Sequence, residues 1–189
     1  MKKNTEIRIA GFGGQGIILA GYIIGKAAAI FDDKHSTLIQ SFGPEARGSS
    51  CSAQVIISET QILYPYIVKP NISLLMSKDA YERFSSELTD GDIMLIEKDL
   101  VQPKKITKKI SSYAIPATRL AEEMGRKIVT NIIMVGFFSA ITQITSYEAT
   151  RKAVETSVPP GTEELNLKAF ESGYNYGKDL LKSAKKNVA

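Results

Sequence analysis

The run Gly11-Phe12-Gly13-Gly14-Gln15-Gly16 carries the clearest chemical signal in the sequence. Gly11, Gly13 and Gly16 fit G-x-G-x-x-G, with the apolar strand Ile7-Arg8-Ile9-Ala10 before it and a long apolar helix after it. That context suits an anion. Glycines let a phosphate approach the backbone, and the first N–H groups of the helix point at it with the positive end of the dipole. Gly11, Gly13, Gly14, Gln15 and Gly16 are therefore the candidate binding set. The competing reading is a turn whose glycines only let helix and sheet pack closely. A dinucleotide site also needs an acid at the end of the second strand, to hold ribose hydroxyls. That strand, Ser36 to Phe42, ends without one. Asp32 and Asp33 lie at its wrong end, and Glu45 lies beyond it.

Other chemistries are thinly supplied. One cysteine, Cys51, excludes an internal disulfide and a cysteine-ligated iron–sulfur cluster, which takes about four thiolates. Cys51 sits in an apolar run and reads as a buried structural thiol. The one histidine, His35, removes most zinc and triad schemes and reads as an exposed loop residue. Lys and Arg total 24 against 20 acids, a net charge of +4, and the basic residues are dispersed. No nucleic-acid motif accompanies them. The N-terminus shows no signal-peptide pattern. Residues 128–147 are uncharged, but their apolar core is about ten residues, short of the roughly 20 that span a bilayer. These readings predict a cytoplasmic protein with no nucleic acid or membrane partner.

The elements that must position the glycine turn follow from periodicity. Strands are expected at Ile7–Ala10, Thr37–Phe42, Ser52–Ser58, Ile72–Met76, Ile93–Ile96 and Ser111–Ile115. Ile62–Tyr64 is expected to pair with Ser52–Ser58 as a hairpin. Helices are expected from Gln15 to Phe31, Asp79 to Leu88, after Pro116 with Thr118 as cap and Gly125 as terminator, from Asn131, from Tyr147 to Thr156 and from Leu165 to Lys182. The alternation gives a three-layer α/β/α fold over residues 1–189, one domain, with a mixed, mostly parallel sheet and a Rossmann-like glycine turn after strand one. Two helices, Ile17–Ile24 and Ile132–Phe138, are apolar nearly all round. Either they are central in the fold or their outer faces are covered by another chain; the second is the favoured expectation in a domain this small, and it predicts a homodimer when the chain is isolated.

Four segments, in order, resemble one family. They are Gly11 to Gly16 with Ala20-Gly21 following, Phe42-Gly43-Pro44-Glu45-Ala46-Arg47-Gly48, Asn131 with Gly136, and Asn166 to Tyr174. Together they resemble the gamma subunit of 2-oxoacid:ferredoxin oxidoreductases. The chain departs from the family pattern at Ser49 (usually Gly), Asn71 (often Asp) and Phe42 (usually Tyr).

The resemblance implies a complex that decarboxylates a 2-oxoacid on thiamine diphosphate, passes electrons through iron–sulfur clusters to ferredoxin and transfers the acyl group to coenzyme A. Thiamine diphosphate and the clusters are then expected in partner subunits, alpha and beta, with room for a ferredoxin-like delta subunit. This chain has no cluster cysteines and lacks the family's thiamine signature; Asp90-Gly91-Asp92 reads as a turn. Its expected role is assembly and coenzyme A binding, with no catalytic residue and no metal ligand of its own. The glycine turn suits a pyrophosphate. Arg47 is the charged candidate beside it, for a phosphate or for a partner carboxylate, against an internal pairing with Glu45. A stand-alone nucleotide-binding regulatory module and a dinucleotide-dependent oxidoreductase remain as alternatives.

Overall fold

The computed structural model describes residues 4–43, 49–104 and 107–186. Arg47, Pro44, Glu45, Ala46 and Gly48 lie outside the described residues. Six strands form one sheet: β1 (Thr5–Phe12), β2 (His35–Phe42), β3 (Ser50–Ser58), β4 (Ile72–Leu75), β5 (Ile93–Glu97) and β6 (Ser111–Ile115), in the order β2-β3-β1-β4-β5-β6. The β1–β4, β4–β5 and β5–β6 pairings are parallel. β3 is antiparallel to both β1 and β2. It is wedged between two strands that a simple βαβ unit would place side by side.

The expected Ile62–Tyr64 hairpin strand does not form. Both sides of β3 are already taken, by β1 and β2, and Leu63 is 88% exposed in an irregular link. Pinned contacts hold that link to the sheet instead: the Val68 and Lys69 N–H groups donate to Glu6 Oε2 at 2.7 and 2.9 Å. Asn71 accepts from Glu6 N at 2.9 Å, so it is part of an internal bond.

The helices are α1 (Ile17–Lys26), α2 (Lys78–Phe84), α3 (Ala117–Glu123), α4 (Thr130–Thr142), α5 (Tyr147–Glu155) and α6 (Glu163–Lys186). A π-helical turn, Ala27–Phe31, prolongs α1. Alternation along the strands sorts two cores. Ile7, Ile9, Val55, Leu74 and Leu95 face the larger one with α1, α4, α5 and α6. Ala10, Leu75, Met94 and Ile96 face the smaller one with α2. Ser77 caps α2 and Ser146 caps α5 through their hydroxyls. Thr118 does not cap α3. Its own N–H is instead received by the buried Glu97 carboxylate at 3.0 Å, which also accepts from Leu100 N at 2.6 Å. Gly125, at φ 74°, ends that helix region as its residue type demands.

The all-apolar helix α4 needs no second chain. Residues Thr130 to Ala140 are all buried, and α6 covers the face expected to be exposed. Gly136 and Gly173 make this possible. A Cβ at Gly136 would lie 2.9 Å from Tyr174 N and overlap the Phe170 carbonyl, and one at Gly173 would overlap the Ile133 carbonyl. The helices therefore cross with backbone against backbone. The small residues of the Asn166–Tyr174 motif are the reason α4 can be apolar all round.

Tyr147 joins α5 to α6 by donating to the Glu171 carboxylate, with Arg151 3.8 Å from the same group. That hydrogen bond, then burial, pushes the Tyr147 hydroxyl up to about 12. The raised value favours the protonated folded form, so the stability it contributes is present below pH 10 and lost as pH rises from 10 to about 12. Melting temperature measured across that range should fall more steeply for the native chain than for Tyr147→Phe. Equal slopes would show that the bond contributes nothing.

Candidate ligand-binding site at the glycine turn

The glycine turn sits at the C-terminal end of β1. The helix after β1 lies against the larger core and the helix after β4 against the smaller one, so the crevice between these strand ends is a topological switch point. The turn is held from several sides. Gln15 Oε1 accepts from Phe12 N at 2.7 Å and its Nε2 donates to Met76 O at 3.1 Å. Gly13 N donates to Ser49 O at 2.9 Å and Gln15 N to Phe12 O at 3.1 Å. Asn131 Nδ2 donates to Gly16 O at 3.2 Å, joining the turn to α4 across 115 residues.

This bonding divides the candidate residues. Gly11 is buried beneath the Gln15 amide, where a Cβ would also lie 2.7 Å from Ile17 Cδ1. Gly11 and Gln15 therefore shape the turn. The N–H groups of Gly14, Gly16 and Ile17 have no hydrogen-bond partner among the described residues. Gly14 and Gly16 reach that open arrangement through positive φ angles of 95° and 72°.

These groups border a cleft of 730 Å3. One wall is Ile17, Ile18 and Leu19 of α1, another is Val158, Pro159 and Leu165, and Phe42 and Cys51 close the sheet side. No carboxylate lines it among the described residues. Burial pushes the Cys51 thiol up, which keeps it protonated and unreactive near neutrality.

Sequence reasoning missed three polar residues of the cleft. Arg126 is exposed at its rim and has no ion pair among the described residues. The signal was its place directly after the helix-ending Gly125. Asn131 and Asn166 are both buried in the lining. Their Nδ2 groups donate to carbonyls of Gly16 and Thr162, which fixes the amide orientation and leaves each Oδ1 without a partner among the described residues. Both had been noted only as motif positions. His35 begins β2 rather than lying in a loop, is exposed, and is not a cleft residue. Asp32 accepts from Ser146 N and Oγ, both at 2.7 Å, and supports the start of α5.

A family model described as pyruvate ferredoxin/flavodoxin oxidoreductase matches residues 6–176. The chain belongs to that family. It is 45% identical over 182 residues to the 2-oxoglutarate synthase subunit KorC of Methanocaldococcus jannaschii, covering 95% of this chain and 97% of the relative. The corresponding KorC subunit of Methanothermobacter marburgensis is 44% identical, covering 89% and 94%. Among solved structures, the keto/oxoacid ferredoxin oxidoreductase gamma subunit of Geobacter sulfurreducens superposes with a TM-score of 0.80 at 38% identity, covering 92% of this chain and 98% of that one. The 2-oxoglutarate:ferredoxin oxidoreductase of Magnetococcus marinus, with 2-oxoglutarate, coenzyme A and succinyl-CoA bound, shares the fold at a TM-score of 0.84 and 23% identity, over 95% of this chain and 32% of that chain.

The family resemblance carried by the four motifs therefore holds. Within the pyruvate ferredoxin/flavodoxin oxidoreductase family the chain is of the gamma type, an accessory subunit of a 2-oxoacid:ferredoxin oxidoreductase complex. Among the described residues no helix is long and apolar enough to cross a membrane.

Proposed function

We propose that this chain, acting as one domain, completes the coenzyme A site of a cytoplasmic 2-oxoacid:ferredoxin oxidoreductase whose acid is 2-oxoglutarate. The observation that carries the reading is the set of unengaged N–H groups at Gly14, Gly16 and Ile17, opening onto an apolar cleft with Arg126 at its rim. The chemistry of the cleft fits the parts of coenzyme A. The pyrophosphate meets the amides and Arg126. The pantetheine arm lies along Ile18, Val158 and Leu165, and its amide N–H groups donate to Oδ1 of Asn131 and Asn166. Gly13 borders the site, while Gly11 and Gln15 hold its shape. Arg47 is kept as a second cation on the strength of its motif. Thiamine diphosphate and iron–sulfur clusters belong to the alpha, beta and delta partners. The choice of acid follows the KorC relatives.

The test is made in the reconstituted complex. Arg126→Ala should raise the KM for coenzyme A about tenfold, the scale of roughly 1.4 kcal/mol for a charge-assisted contact. The kcat at saturating coenzyme A and the melting temperature should stay unchanged, because Arg126 is exposed and unpaired. Val158→Trp, which fills the cleft, should weaken coenzyme A further. If neither variant changes coenzyme A dependence, the cleft is not its site.

A further inference from the structure

The glycine turn borders two unlike hollows. β1 lies between β3 and β4 in the sheet. The 730 Å3 cleft lies on the β3 side of the turn, where Phe42 and Cys51 line it. A second hollow of 360 Å3 lies on the β4 side, within the switch-point crevice. Its lining comes from just past the C-terminal ends of three parallel strands: Met76 after β4, Leu100 after β5 and Thr118 after β6. Gly14 and Ile128 line both hollows, so the open Gly14 amide stands where the two meet.

The smaller hollow suits an uncharged group with apolar faces and a polar edge. Met76 is fully buried, and Leu100 and Ile128, 42% and 82% exposed, add apolar wall. Thr118 is only 9% exposed, yet its Oγ1 has no partner among the described residues and is free both to donate and to accept. Directly behind the hollow lies the buried Glu97 carboxylate, which accepts from the N–H groups of Thr118 and Leu100. An anion inside the hollow would face that charge at low dielectric; a neutral base would not. The cation stands at the lining instead. Lys127 is paired there with Glu122 at 3.1 Å, and both side chains are more than half exposed.

We infer, on the basis of the coenzyme A site proposed above, that this hollow takes the adenosine half of the same ligand. The pyrophosphate then bridges the two hollows at Gly14, with the pantetheine arm in the larger one. A purine offers apolar faces to Met76, Leu100 and Ile128 and a polar edge to the Thr118 hydroxyl. The ribose 3′-phosphate is left at the mouth, where Lys127 turns from Glu122 to meet it. Dinucleotides divide in the same way across a switch point, with the pyrophosphate at the glycine turn.

Titration calorimetry of the reconstituted complex tests the assignment with three probes: coenzyme A, 4′-phosphopantetheine and adenosine 3′,5′-bisphosphate. Leu100→Trp fills the hollow from a half-exposed position. It should abolish binding of the bisphosphate, leave phosphopantetheine unchanged and bring coenzyme A down to the affinity of phosphopantetheine. Thr118→Val keeps the shape and removes the hydroxyl. It should weaken the bisphosphate about fivefold, the scale of one neutral hydrogen bond, again with phosphopantetheine unchanged. Unchanged phosphopantetheine binding shows that each variant is folded and assembled. Native affinity for the bisphosphate in Leu100→Trp would overturn the inference, as would equal losses of coenzyme A and phosphopantetheine in both variants. Val158→Trp separates this inference from the reading beneath it. If Val158→Trp weakens coenzyme A and Leu100→Trp does not, the adenosine lies elsewhere and the coenzyme A site stands. If neither weakens it, both fall.

Discussion

Gly173→Ala should be among the most damaging single-methyl changes in this protein. The added carbon overlaps the Ile133 carbonyl and comes within 2.8 Å of its carbon and 3.0 Å of Phe137 N, all backbone of the facing helix. No side chain can rotate away, so α4 and α6 must separate along a shared apolar surface that includes Phe137 and Phe170. Overpacking of this kind costs about 3 kcal/mol, which lowers the melting temperature of a chain this size by roughly 6–12 °C. Gly161→Ala is the control. Gly161 has a positive φ, 84°, which Gly173 lacks, but nothing lies within 4 Å of its missing Cβ. Only backbone strain remains there, about 1–2 kcal/mol. Equal losses at the two positions would show that the helix crossing tolerates separation.

Replacing Gly16 tests the other close approach, and it should show coupling. Gly16→Ala puts a Cβ 2.6 Å from Asn131 Cγ, in a left-handed backbone at φ 72°. The strain costs about 1–2 kcal/mol and the clash about as much again. Asn131→Ala removes the clashing amide, so in that background the glycine change should cost the strain alone. Chemical denaturation of the four proteins gives the cycle directly. Additive losses would mean that the turn moves away from α4 without resistance. The cycle measures how firmly Asn131, which donates to Gly16 O, ties the turn to α4.

These glycines show how far the sequence could be read. Their strand–turn–helix context is local, and local patterns located the strands at 7–10, 52–58, 93–96 and 111–115 and most helices to within a few residues. The Ile62–Tyr64 segment failed because alternation reports an apolar short run, not whether a neighbouring edge is vacant. Both edges of β3 were already filled, one by β2 just before it in the chain and the other by β1. The α4 helix was misread for a related reason. Its all-round apolarity was plain, but the partner that covers it is α6, and only the two crossing glycines reveal that. Within the site, the glycine motif located the turn, yet it could not tell Gly11 and Gln15, which are consumed by packing, from Gly14 and Gly16, which are left open. That division depends on Met76 and Asn131, 61 and 115 residues away from their partners in the turn.

The wedged position of β3 also orders events during synthesis. β1 emerges first but has no immediate neighbour: its partners are Ser50–Ser58 on one side and Ile72–Leu75 on the other. A nascent chain that ends before residue 75 therefore leaves one of its edges bare, and one that ends before residue 131 lacks the amide that locks Gly16. The candidate cleft consequently matures late, since its far wall comes from Val158 and Leu165. Truncated or partly made chains therefore carry the glycine motif without the far wall of the cleft, and the motif alone does not amount to the pocket.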